Sequence, residues 1–563
     1  MPSKLDGVMS KLCCSFKISM SRKLKIFLLL ISGGIITGLS VTFSKYFGPL
    51  EWVSLIPVVI AVRMLCDGEG TKLRHAYLFG LFYFEIFYAT CFHWFTSLYP
   101  LDFTGLNNFY SVLVIFVAWF GLSLLQALFG GLVFVICVMI SRTTIAKKFS
   151  AVNLLSFTTV YTFYEFTQTL GWWGVPWGRL SLGQVDGKYY AQAASLFGSY
   201  FVTAIVLLVN SLLAFGILSF KNNSRSERTY ALSALGVYLL NLVLGITLYY
   251  GEAGRIKDAD KVNVGVIQGN FSSTEKWNNT ADNIFNRYLE LTEKAAEDGA
   301  ELIIWPETAL PFSYREGGYY CTLLADVAKK WGVTLMVGTI DASLELDRNA
   351  VICYTPDGER SENIYAKRHL VPFGEYVPMR AFIEVCLPFL AEISVFDDDW
   401  IPGEDSAIFN TDAGNVGSLI CFDSIYEAIA IDSARDGAEL FALSTNDSWF
   451  SDSAALYMHN NQARLRAIEN RRFIARSANT GLSSFISSSG DVLSTLPISE
   501  CGYLNCELSL LSHKTLYTRI GNVFVYTMGV MAISPLVYEA VLKIKKRFSA
   551  QKENNHLQNG EQL

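Results

Sequence analysis

Long apolar runs dominate the first half of the chain and return once near its end. A helix needs about 20 residues to cross the hydrocarbon core of a bilayer, so we predict a transmembrane helix at each of eight runs. The second run is the shortest, and the fourth is long enough to tilt strongly. The predicted spans are Ile26–Phe43, Leu50–Val62, Ala76–Phe95, Phe109–Ile140, Val152–Leu170, Tyr190–Leu218, Leu232–Tyr249 and Val523–Leu542.

Basic residues fall in every second connection between these runs. The N-terminal stretch, the loops after the second, fourth and sixth spans and the tail that begins "KIKKR" are rich in Lys or Arg, whereas "FTSLYPLDFTGLNN" after the third span has neither. Because cytoplasmic loops carry the excess of Lys and Arg, we predict that both termini are cytoplasmic. The seven spans of a membrane domain at 26–250 would then deliver the next domain to the opposite side.

The predicted organisation has four further parts. Residues 1–25 form a cytoplasmic segment, residues 257–515 form the extracytoplasmic domain, and span 523–542 returns the chain to a cytoplasmic tail at 543–563. The polar end of that tail, "QKENNHLQNGEQL", is predicted to be disordered because it has little apolar surface to bury.

The stretch at 257–515 alternates predicted strands with amphipathic helices. "KVNVGVIQGN" alternates and is rich in valine, as in a strand, and the next segment repeats apolar residues in helical steps behind Thr280 as N-cap. "ELIIWPE", "VTLMVGTI", "NVGSLI" and "AELFALSTND" predict further strands, "AVICYTPDGERSENIYAK" predicts a hairpin, and a helix is expected from Ser424. Alternation of this kind is typical of an α/β layered domain.

Composition supports the division into a membrane part and a soluble part. Of the 563 residues 51% are hydrophobic and 17% are charged, and soluble domains typically carry roughly 25% charge. The net charge of −6 and the lack of a basic, aromatic-laced stripe give no sign of a nucleic-acid partner. Cys501 and Cys506 would stand roughly 16 Å apart on one strand, too far for a disulfide. His93 and His459 show no ligand partner in the pattern, so neither a metal nor another cofactor is expected.

Polar residues follow the ends of several predicted strands. Glu307, Cys421 and Asn446-Asp447 each come just after a buried strand, and Lys367 ends a hairpin strand. In α/β sheets ligands bind at the carboxyl ends of strands. A thiol attacks a carbonyl as thiolate, and Glu307, with a pKa raised by burial, could take its proton. A lysine ammonium could stabilise the resulting oxyanion, so these types permit acyl transfer without histidine or metal.

Each of these residues also has an ordinary structural interpretation. A cysteine after "SLI" is most often a buried core side chain. A glutamate after Trp-Pro is usually solvated, and a lone lysine is nearly always on the surface. Spacing alone leaves both interpretations open, and the local sequences favour the chemical one.

"LIIWPETALPF", "YAKRHLVPFGEYVP" and "LICFD" occur in the order that marks the nitrilase-like carbon–nitrogen hydrolase superfamily. Together with the apolar spans, they make the chain resemble the apolipoprotein N-acyltransferase family, the membrane-bound branch of that superfamily. The resemblance extends over nearly the whole chain through "GWWGVPWGRL", "QGN" followed by "KW", "PGED", "STNDSWF" and "QARLRAIENRRFIARSANTGLS".

The resemblance implies a multi-span α-helical membrane domain joined to an extracytoplasmic (periplasmic) α/β nitrilase-like domain, an αββα sandwich. It implies an enzyme of the plasma (inner) membrane that takes an acyl chain from a phospholipid, with phosphatidylethanolamine as the expected donor. The chain would pass through a cysteine thioester to the α-amine of the N-terminal diacylglyceryl-cysteine of an apolipoprotein, in a ping-pong reaction.

Family roles carry over to individual positions. Glu307 would be the base, Lys367 the oxyanion-stabilising lysine and Cys421 the nucleophile, with Glu375 as a second carboxylate that orients the lysine or assists proton transfer. After the cysteine the family commonly has Tyr-Glu, whereas this chain has Phe422-Asp423. Hydrogen bonds assigned to that pair are therefore open to revision.

Weaker substrate contacts are expected elsewhere. Trp277 matches a family tryptophan near the entrance of the site, and Arg179, in an aromatic loop facing outward, could meet a phospholipid head group or serve only as an anchor. The apolar segment "AFIEVCLPFLAEISVF", which contains Phe389 and Leu390, is either a buried core helix or an arm that dips into the lipid interface and gates the acyl chain.

Two other functions fit parts of the pattern. A membrane-tethered amidase of the nitrilase type would use water as the acyl acceptor. A transporter or membrane scaffold would use the outer domain only for binding, although nothing in the spans resembles an inverted repeat.

Overall fold

A helical half and a two-sheet half make up the chain and share one continuous hydrophobic core. The computed structural model describes residues 21–560 apart from 69, 102–106, 172, 221–225, 273–274, 276–279, 315–316, 345 and 387–398. Most of the predicted N-terminal segment therefore lies outside the described residues.

The helical half starts with long apolar helices whose first turns are capped by side chains. Ser21 accepts a hydrogen bond from the Leu24 N–H and Asn107 accepts one from the Tyr110 N–H, which satisfies donors that a helix start leaves free. Short 3₁₀ turns occupy Gly48–Leu50, His93–Leu98 and Leu180–Gly187. The helices are α1 (Arg22–Thr42), α2 (Ser44–Phe47), α3 (Glu51–Ser54), α4 (Ile56–Cys66), α5 (Leu73–Cys91), α6 (Asn108–Ser141), α7 (Thr144–Lys148), α8 (Ser150–Thr167), α9 (Ala194–Phe197), α10 (Ser199–Phe220) and α11 (Ser226–Lys257).

Within the described residues, six helical segments are long and apolar enough to cross a membrane. Each of them overlaps a predicted span. The third and fifth predicted spans fall on α5 and α8, which are helical but below the same standard of length and apolar composition, so the count of eight stays a prediction. The six are Arg22–Thr42, Ser44–Cys66, Asn108–Ser141, Ser199–Ser219, Ser226–Lys257 and Val523–Lys552.

Two expectations about helix ends are wrong. The sixth predicted span starts at Tyr190, but α10 starts only at Ser199, because Gly198 before it has a φ of +81°, which breaks a right-handed helix. At the C-terminus the tail predicted to be disordered is helical as far as Gly560.

The second half consists of strands and of helices that cover them. The strands are β1 (Lys261–Gln268), β2 (Leu302–Ile304), β3 (Leu310–Tyr314), β4 (Thr334–Asp341), β5 (Arg348–Tyr354), β6 (Tyr365–Ala366), β7 (Ile408–Thr411), β8 (Gly414–Ile420), β9 (Leu440–Thr445), β10 (Phe473–Ala478), β11 (Ser484–Ile486), β12 (Val492–Thr495) and β13 (Gly502–Ser509). The helices are α12 (Ala281–Glu297), α13 (Tyr319–Trp331), α14 (Arg380–Cys386), α15 (Glu427–Arg435), α16 (Ala454–Asn470), α17 (Leu516–Ile520) and α18 (Val523–Gly560).

These strands form two sheets with parallel centres. One sheet has the order β13-β1-β2-β4-β5-β6, with β3 also on β4, and the other has the order β12-β11-β10-β9-β8-β7. The pairs β1–β2, β2–β4, β8–β9 and β9–β10 are parallel, whereas β13 runs antiparallel to β1 along its whole length. The strand–helix–strand alternation predicted from the sequence is therefore confirmed, although α15 begins at Glu427, after a 3₁₀ turn at Cys421–Ile425, and not at Ser424.

Successive residues of the strands face two different cores. Leu302 and Ile304 of β2 lie in the core that also holds Leu419 of β8, whereas Ile303 between them packs with Ile284 of α12. Because side chains alternate across a strand, the first sheet has one face toward the second sheet and the other toward α12 and α13. Helices α15 and α16 contact the second sheet, and the predicted layering of helix, sheet, sheet and helix results.

Candidate active site

Three predicted site residues meet at the carboxyl ends of strands from both sheets. Glu307 follows β2, Lys367 follows β6 and Cys421 follows β8. The Lys367 Nζ lies 2.9 Å from the Glu307 Oε1, and the Glu307 carboxylate is a hydrogen-bond partner of the Cys421 thiol. Glu307 and Lys367 are buried, so the contacts between these groups are made out of bulk water.

A second carboxylate lies on the other side of the lysine. The Glu375 Oε1 is also 2.9 Å from the Lys367 Nζ, as expected for a residue that orients the lysine. The Asn349 Nδ2 donates to the Oε1 atoms of both Glu307 and Glu375 at 2.7 Å. Asn349 lies within β5, and no motif in the sequence singled it out.

Backbone N–H groups hold the outer oxygens of the two carboxylates. The Asn446 N–H donates to the Glu307 Oε2 at 2.8 Å, and the Val371 N–H donates to the Glu375 Oε2 at 2.8 Å. Asn446 directly follows β9, one strand away from Cys421. The predicted strand end at Asn446-Asp447 therefore joins the site through its backbone and not through its amide side chain.

The charges of the site differ from those expected. Burial alone would raise the pKa of Glu307, but the Lys367 ammonium and the hydrogen bonds from Lys367, Asn349 and Cys421 outweigh burial and lower that pKa. The prediction of a raised pKa is therefore wrong. Burial, reinforced by the Glu307 charge, raises the pKa of the Cys421 thiol. At neutral pH the site therefore rests as a carboxylate beside a protonated thiol.

The lysine remains charged in spite of its burial. Burial would lower the pKa of Lys367, but the charges of Glu307, Glu375 and Cys421 raise it well above its ordinary value. A buried ammonium with two carboxylate partners is a fixed positive charge, which suits the stabilisation of an oxyanion.

The backbone of Cys421 is strained. Its φ is +47°, in the left-handed region that costs a residue with a Cβ on the order of 1–2 kcal/mol. The strain falls where β8 ends and the 3₁₀ turn Cys421–Ile425 begins, which is the strand-to-turn geometry that exposes a nucleophile above a sheet. Non-glycine residues in such conformations cluster at functional sites.

Asp423 ties the turn of the nucleophile to the segment of the lysine. Its Oδ2 accepts from the Tyr365 hydroxyl at 2.8 Å and from the Ile420 N–H at 3.1 Å. Its Oδ1 accepts from the N–H groups of Arg368 and His369 at 3.2 and 2.9 Å. The shorter acid therefore has four donors, three of them on residues that flank Lys367.

Phe422 has an apolar role in the same turn. Its ring lies 5.5 Å from that of Tyr426, edge-on, and 6.5 Å from that of Trp177, stacked. Trp177 comes from the "GWWGVPWGRL" loop of the helical half. The residue that replaces the usual tyrosine therefore contacts the helical half by packing.

A buried polar cluster lies behind the nucleophile. The His459 Nε2 is 3.1 Å from the Cys421 carbonyl oxygen and the Nδ1 is 3.1 Å from the Asp447 Oδ1. Arg476 donates to the Asp447 Oδ2 at 2.8 Å and lies 3.1 Å from the His459 Nδ1. The sequence pattern showed no ligand partner for His459, and the structure surrounds it with Asp447, Arg476 and the Cys421 carbonyl. His459 lies on α16 in the run "HNNQARLRAIEN". This run is polar, yet almost all of its residues are buried.

This cluster is also the one group among the described residues with a spacing that could hold a metal ion. The ligand atoms of Cys421, Asp447 and His459 lie within 4.8 Å of one another. Arg476 already places a guanidinium against two of the three ligands, and that charge opposes a cation. The donor set therefore fits a metal poorly, and the expectation that the enzyme needs none stays a prediction.

Comparisons with known proteins match both the helical half and the two-sheet half of the chain. A profile described as "Apolipoprotein N-acyltransferase N-terminal domain" matches residues 33–212, and one described as "Carbon-nitrogen hydrolase" matches residues 263–512. The apolipoprotein N-acyltransferase of Geobacter metallireducens is 28% identical over 91% of this chain and 95% of its own. That of Pasteurella multocida is 26% identical over 93% and 97%.

The chain belongs to the apolipoprotein N-acyltransferase family. Among solved structures, Nit3 of Saccharomyces cerevisiae, a member of the nitrilase superfamily, is 19% identical and covers 44% of this chain and 90% of its own, with a TM-score of 0.35. The family resemblance predicted from the motifs is confirmed over most of the chain.

Arg179, a predicted outward-facing residue of this family member, is buried. Its Nη2 donates to the Glu427 Oε2 at 2.7 Å, and Glu427 also accepts from the Tyr200 hydroxyl at 2.7 Å. Arg179 therefore has no access to a phospholipid head group, and of its two expected roles its burial fits the anchor. Glu427 stands buried at the start of α15 and needs a counter-charge, which the helical half supplies through Arg179.

The remaining predicted contacts lie outside the described residues. Trp277, Phe389 and Leu390 fall in gaps of the structure, so their proximity to the site stays a prediction. The apolar segment that contains Phe389 starts with α14 (Arg380–Cys386), in which Ile383 is buried and Phe382 and Val385 are exposed.

Proposed function

We propose that Cys421, Glu307 and Lys367 are the nucleophile, base and oxyanion-stabilising residue of an N-acyltransferase that modifies lipoproteins. Its acyl donor is a phospholipid, with phosphatidylethanolamine as the expected head group, and its acceptor is the α-amine of an N-terminal diacylglyceryl-cysteine. The observation that carries the proposal is the contact of one buried carboxylate, Glu307, with both the thiol and the ammonium.

The first half-reaction forms a thioester. As the Cys421 sulfur attacks the carbonyl carbon of the sn-1 ester, its proton passes to Glu307, and the carbonyl oxygen becomes an oxyanion beside the Lys367 ammonium. The tetrahedral intermediate then expels the glycerol oxygen, which takes the proton from Glu307 and leaves as a lysophospholipid. Because the Glu307 pKa is lowered, proton transfer must accompany the attack and not precede it.

The second half-reaction uses the same groups. The neutral α-amine of the apolipoprotein attacks the thioester carbonyl, and Glu307 accepts a proton from the attacking nitrogen. The C–S bond breaks, the thiolate takes the proton back from Glu307, and an amide results. Water must be kept from the thioester, since hydrolysis would release a fatty acid.

A membrane location suits this chemistry because both substrates are lipids of one leaflet. Eight spans with cytoplasmic termini, as the basic loops indicate, would place the sandwich on the extracytoplasmic face of the plasma membrane. The packing of Trp177 on Phe422 and the Arg179–Glu427 ion pair support a sandwich held against the helical half. Such attachment supplies proximity between the thiol and the lipid ester.

The experiment incubates the purified chain in detergent with phosphatidylethanolamine that carries a labelled sn-1 acyl chain. The proposal predicts a labelled, hydroxylamine-sensitive adduct that is absent from Cys421→Ala and that passes to a diacylglyceryl peptide. Release of free fatty acid without an adduct would favour the tethered amidase. Retention of activity by both Cys421→Ala and Glu307→Ala would favour a transporter or scaffold.

A further inference from the structure

The left-handed turn at Cys421 raises the question of what holds it in place. Its φ of +47° is unfavourable for a residue with a side chain, and such conformations persist only where the surroundings over-determine them. The backbone on the N-terminal side is fixed by β8, which pairs with β9 up to Ile420 and Ser444. The carbonyl on the C-terminal side belongs to the 3₁₀ turn Cys421–Ile425, and two side chains also contact it.

We propose that His459 is a positioning residue for the nucleophile. Its imidazole holds the Cys421 carbonyl and thereby fixes the turn that directs the thiol at Glu307. This inference rests on the proposed role of Cys421 as the nucleophile.

The contact with the carbonyl is specific in its chemistry. The His459 Nε2 lies 3.1 Å from the Cys421 oxygen, and the Ser424 hydroxyl donates to the same oxygen at 2.8 Å. A carbonyl oxygen can only accept, so the histidine bond requires a proton on Nε2. His459 is 1% exposed, and no bulk water can replace that donor.

The groups on the other side of the ring are compatible with a proton on Nε2. The Arg476 guanidinium, a permanent donor, lies 3.1 Å from Nδ1, and the Asp447 Oδ1 is also 3.1 Å away. A neutral ring with its proton on Nε2 accepts from Arg476, and a doubly protonated ring donates to Asp447. The third form, with its proton on Nδ1, would donate to Asp447 and accept at Nε2 from the Ser424 hydroxyl 3.1 Å away, but it would make no bond to the Cys421 carbonyl.

The ring itself has little room to turn. Trp177 packs against it with ring centroids 5.6 Å apart, and Phe450 approaches at 6.4 Å with a nearly perpendicular plane. Asp447 is fixed in turn by the Thr445 hydroxyl at 3.1 Å. The imidazole is therefore locked between an aromatic wall and an ion pair.

The same cluster continues to the base. Asp447 directly follows Asn446, whose N–H donates to the Glu307 Oε2 at 2.8 Å. The end of β9 therefore contacts both reacting groups. Asn446 donates to the Glu307 carboxylate, and Asp447 contacts His459, which in turn contacts the Cys421 carbonyl. Loss of the Nε2 contact should move the thiol relative to the base without removing either group.

Two amide substitutions separate this role from a general structural one. In His459→Gln the amide nitrogen can occupy the place of Nε2 and donate to the Cys421 carbonyl. In His459→Asn the amide occupies the place of Nδ1, which keeps a partner for Asp447 but leaves the carbonyl out of reach. The two variants therefore differ in the contact that the proposal concerns.

The experiment measures alkylation of Cys421 by iodoacetamide in the full-length enzyme in detergent, by mass spectrometry of the peptide that contains it. Displacement of a reacting group by about 1 Å can cost on the order of 100-fold. We expect His459→Asn to slow alkylation about 10- to 100-fold and His459→Gln to stay within about threefold of the parent enzyme. The acyl-adduct rate should follow the same order.

Thermal unfolding of each variant distinguishes the outcomes. Equal rates in the parent, His459→Asn and His459→Gln would overturn the proposal. Equal slowing of both variants, together with equal loss of thermal midpoint, would also overturn it, because the histidine would then be only structural. Alkylation reports only on the thiol of Cys421. If Cys421→Ala retained acyl transfer, the proposed function would be wrong, whereas the measured effect of His459 on alkylation of the thiol would still stand as a separate result.

Discussion

Replacement of the two carboxylates that flank the lysine gives a direct test of the base. Glu307 and Glu375 each have an Oε1 that lies 2.9 Å from the Lys367 Nζ and 2.7 Å from the Asn349 Nδ2. Each also has an Oε2 that accepts a backbone N–H at 2.8 Å. The pair is matched in these donors, and the Glu307 carboxylate also has the Cys421 thiol as a hydrogen-bond partner.

An amide cannot satisfy either position. In Glu307→Gln or Glu375→Gln the new NH₂ group faces a lysine and an asparagine donor, or else a backbone N–H. The loss of one hydrogen bond and of half of the charge around Lys367 is therefore common to both variants. The difference between them isolates the proton transfer from the thiol.

The magnitude follows from the role. General base catalysis contributes typically 10²- to 10⁴-fold, which corresponds to about 3–5 kcal/mol of barrier. We expect Glu307→Gln to slow formation of the Cys421 thioester by that factor. Glu375→Gln, which perturbs the lysine but spares the base, should slow it only about tenfold, or about 1.4 kcal/mol.

The assay is a single-turnover measurement with labelled phospholipid in excess over enzyme, quenched in acid and resolved by hydroxylamine sensitivity of the adduct. Alkylation of Cys421 by a small reagent controls for access to the thiol. If both variants slow thioester formation equally, Glu307 acts only through Lys367 and the assignment of the base is refuted.

Three further outcomes follow from single features. Burial raises the pKa of Asp423 to about 6, so its ionisation opposes folding. The free energy of unfolding should therefore decline as pH rises from about 4 to 6, and the thermal midpoint of Asp423→Asn should lack that decline. Arg179→Ala should lower stability by about 3–5 kcal/mol because it strands a buried carboxylate; adding Glu427→Gln should restore part of it in denaturant titrations, and no restoration would contradict the ion pair. Phe389→Ser with Leu390→Ser should weaken lipid turnover but spare alkylation of the nucleophile, and equal loss of both would indicate a core helix.

Local sequence was sufficient to locate the catalytic candidates. Glu307 and Cys421 follow short buried strands whose apolar runs predict them, and the carboxyl ends of parallel strands gather at one edge. The same reasoning placed Lys367 at the end of a hairpin strand. Their roles as a constellation came from the family motifs around them.

Features of the site that depend on partners distant along the chain could not be predicted from the sequence. The pKa of Glu307 is set by Lys367, 60 residues away, and a pattern of residues does not say which of two opposing effects is larger. Arg179 was expected either to meet a head group or to serve as an anchor, and its partner Glu427, which decides between the two, is 248 residues away. Asn349 lies within β5 and has no local signature.

The division of the site between two sheets has a consequence for fragments of this chain. Glu307 and Lys367 are attached to strands of the first sheet, whereas Cys421 and Asn446 are attached to strands of the second. A piece that ends before β7 has Glu307 and Lys367 without the thiol, and a piece that starts at β7 has the thiol and strand β13 without them. Until the second sheet docks on the first, the thiol lacks Glu307 and Lys367 as neighbours, and we expect it to react as an ordinary cysteine. Recovery of Cys421 alkylation kinetics on mixing two half-chains would therefore serve as a chemical measure of sandwich assembly.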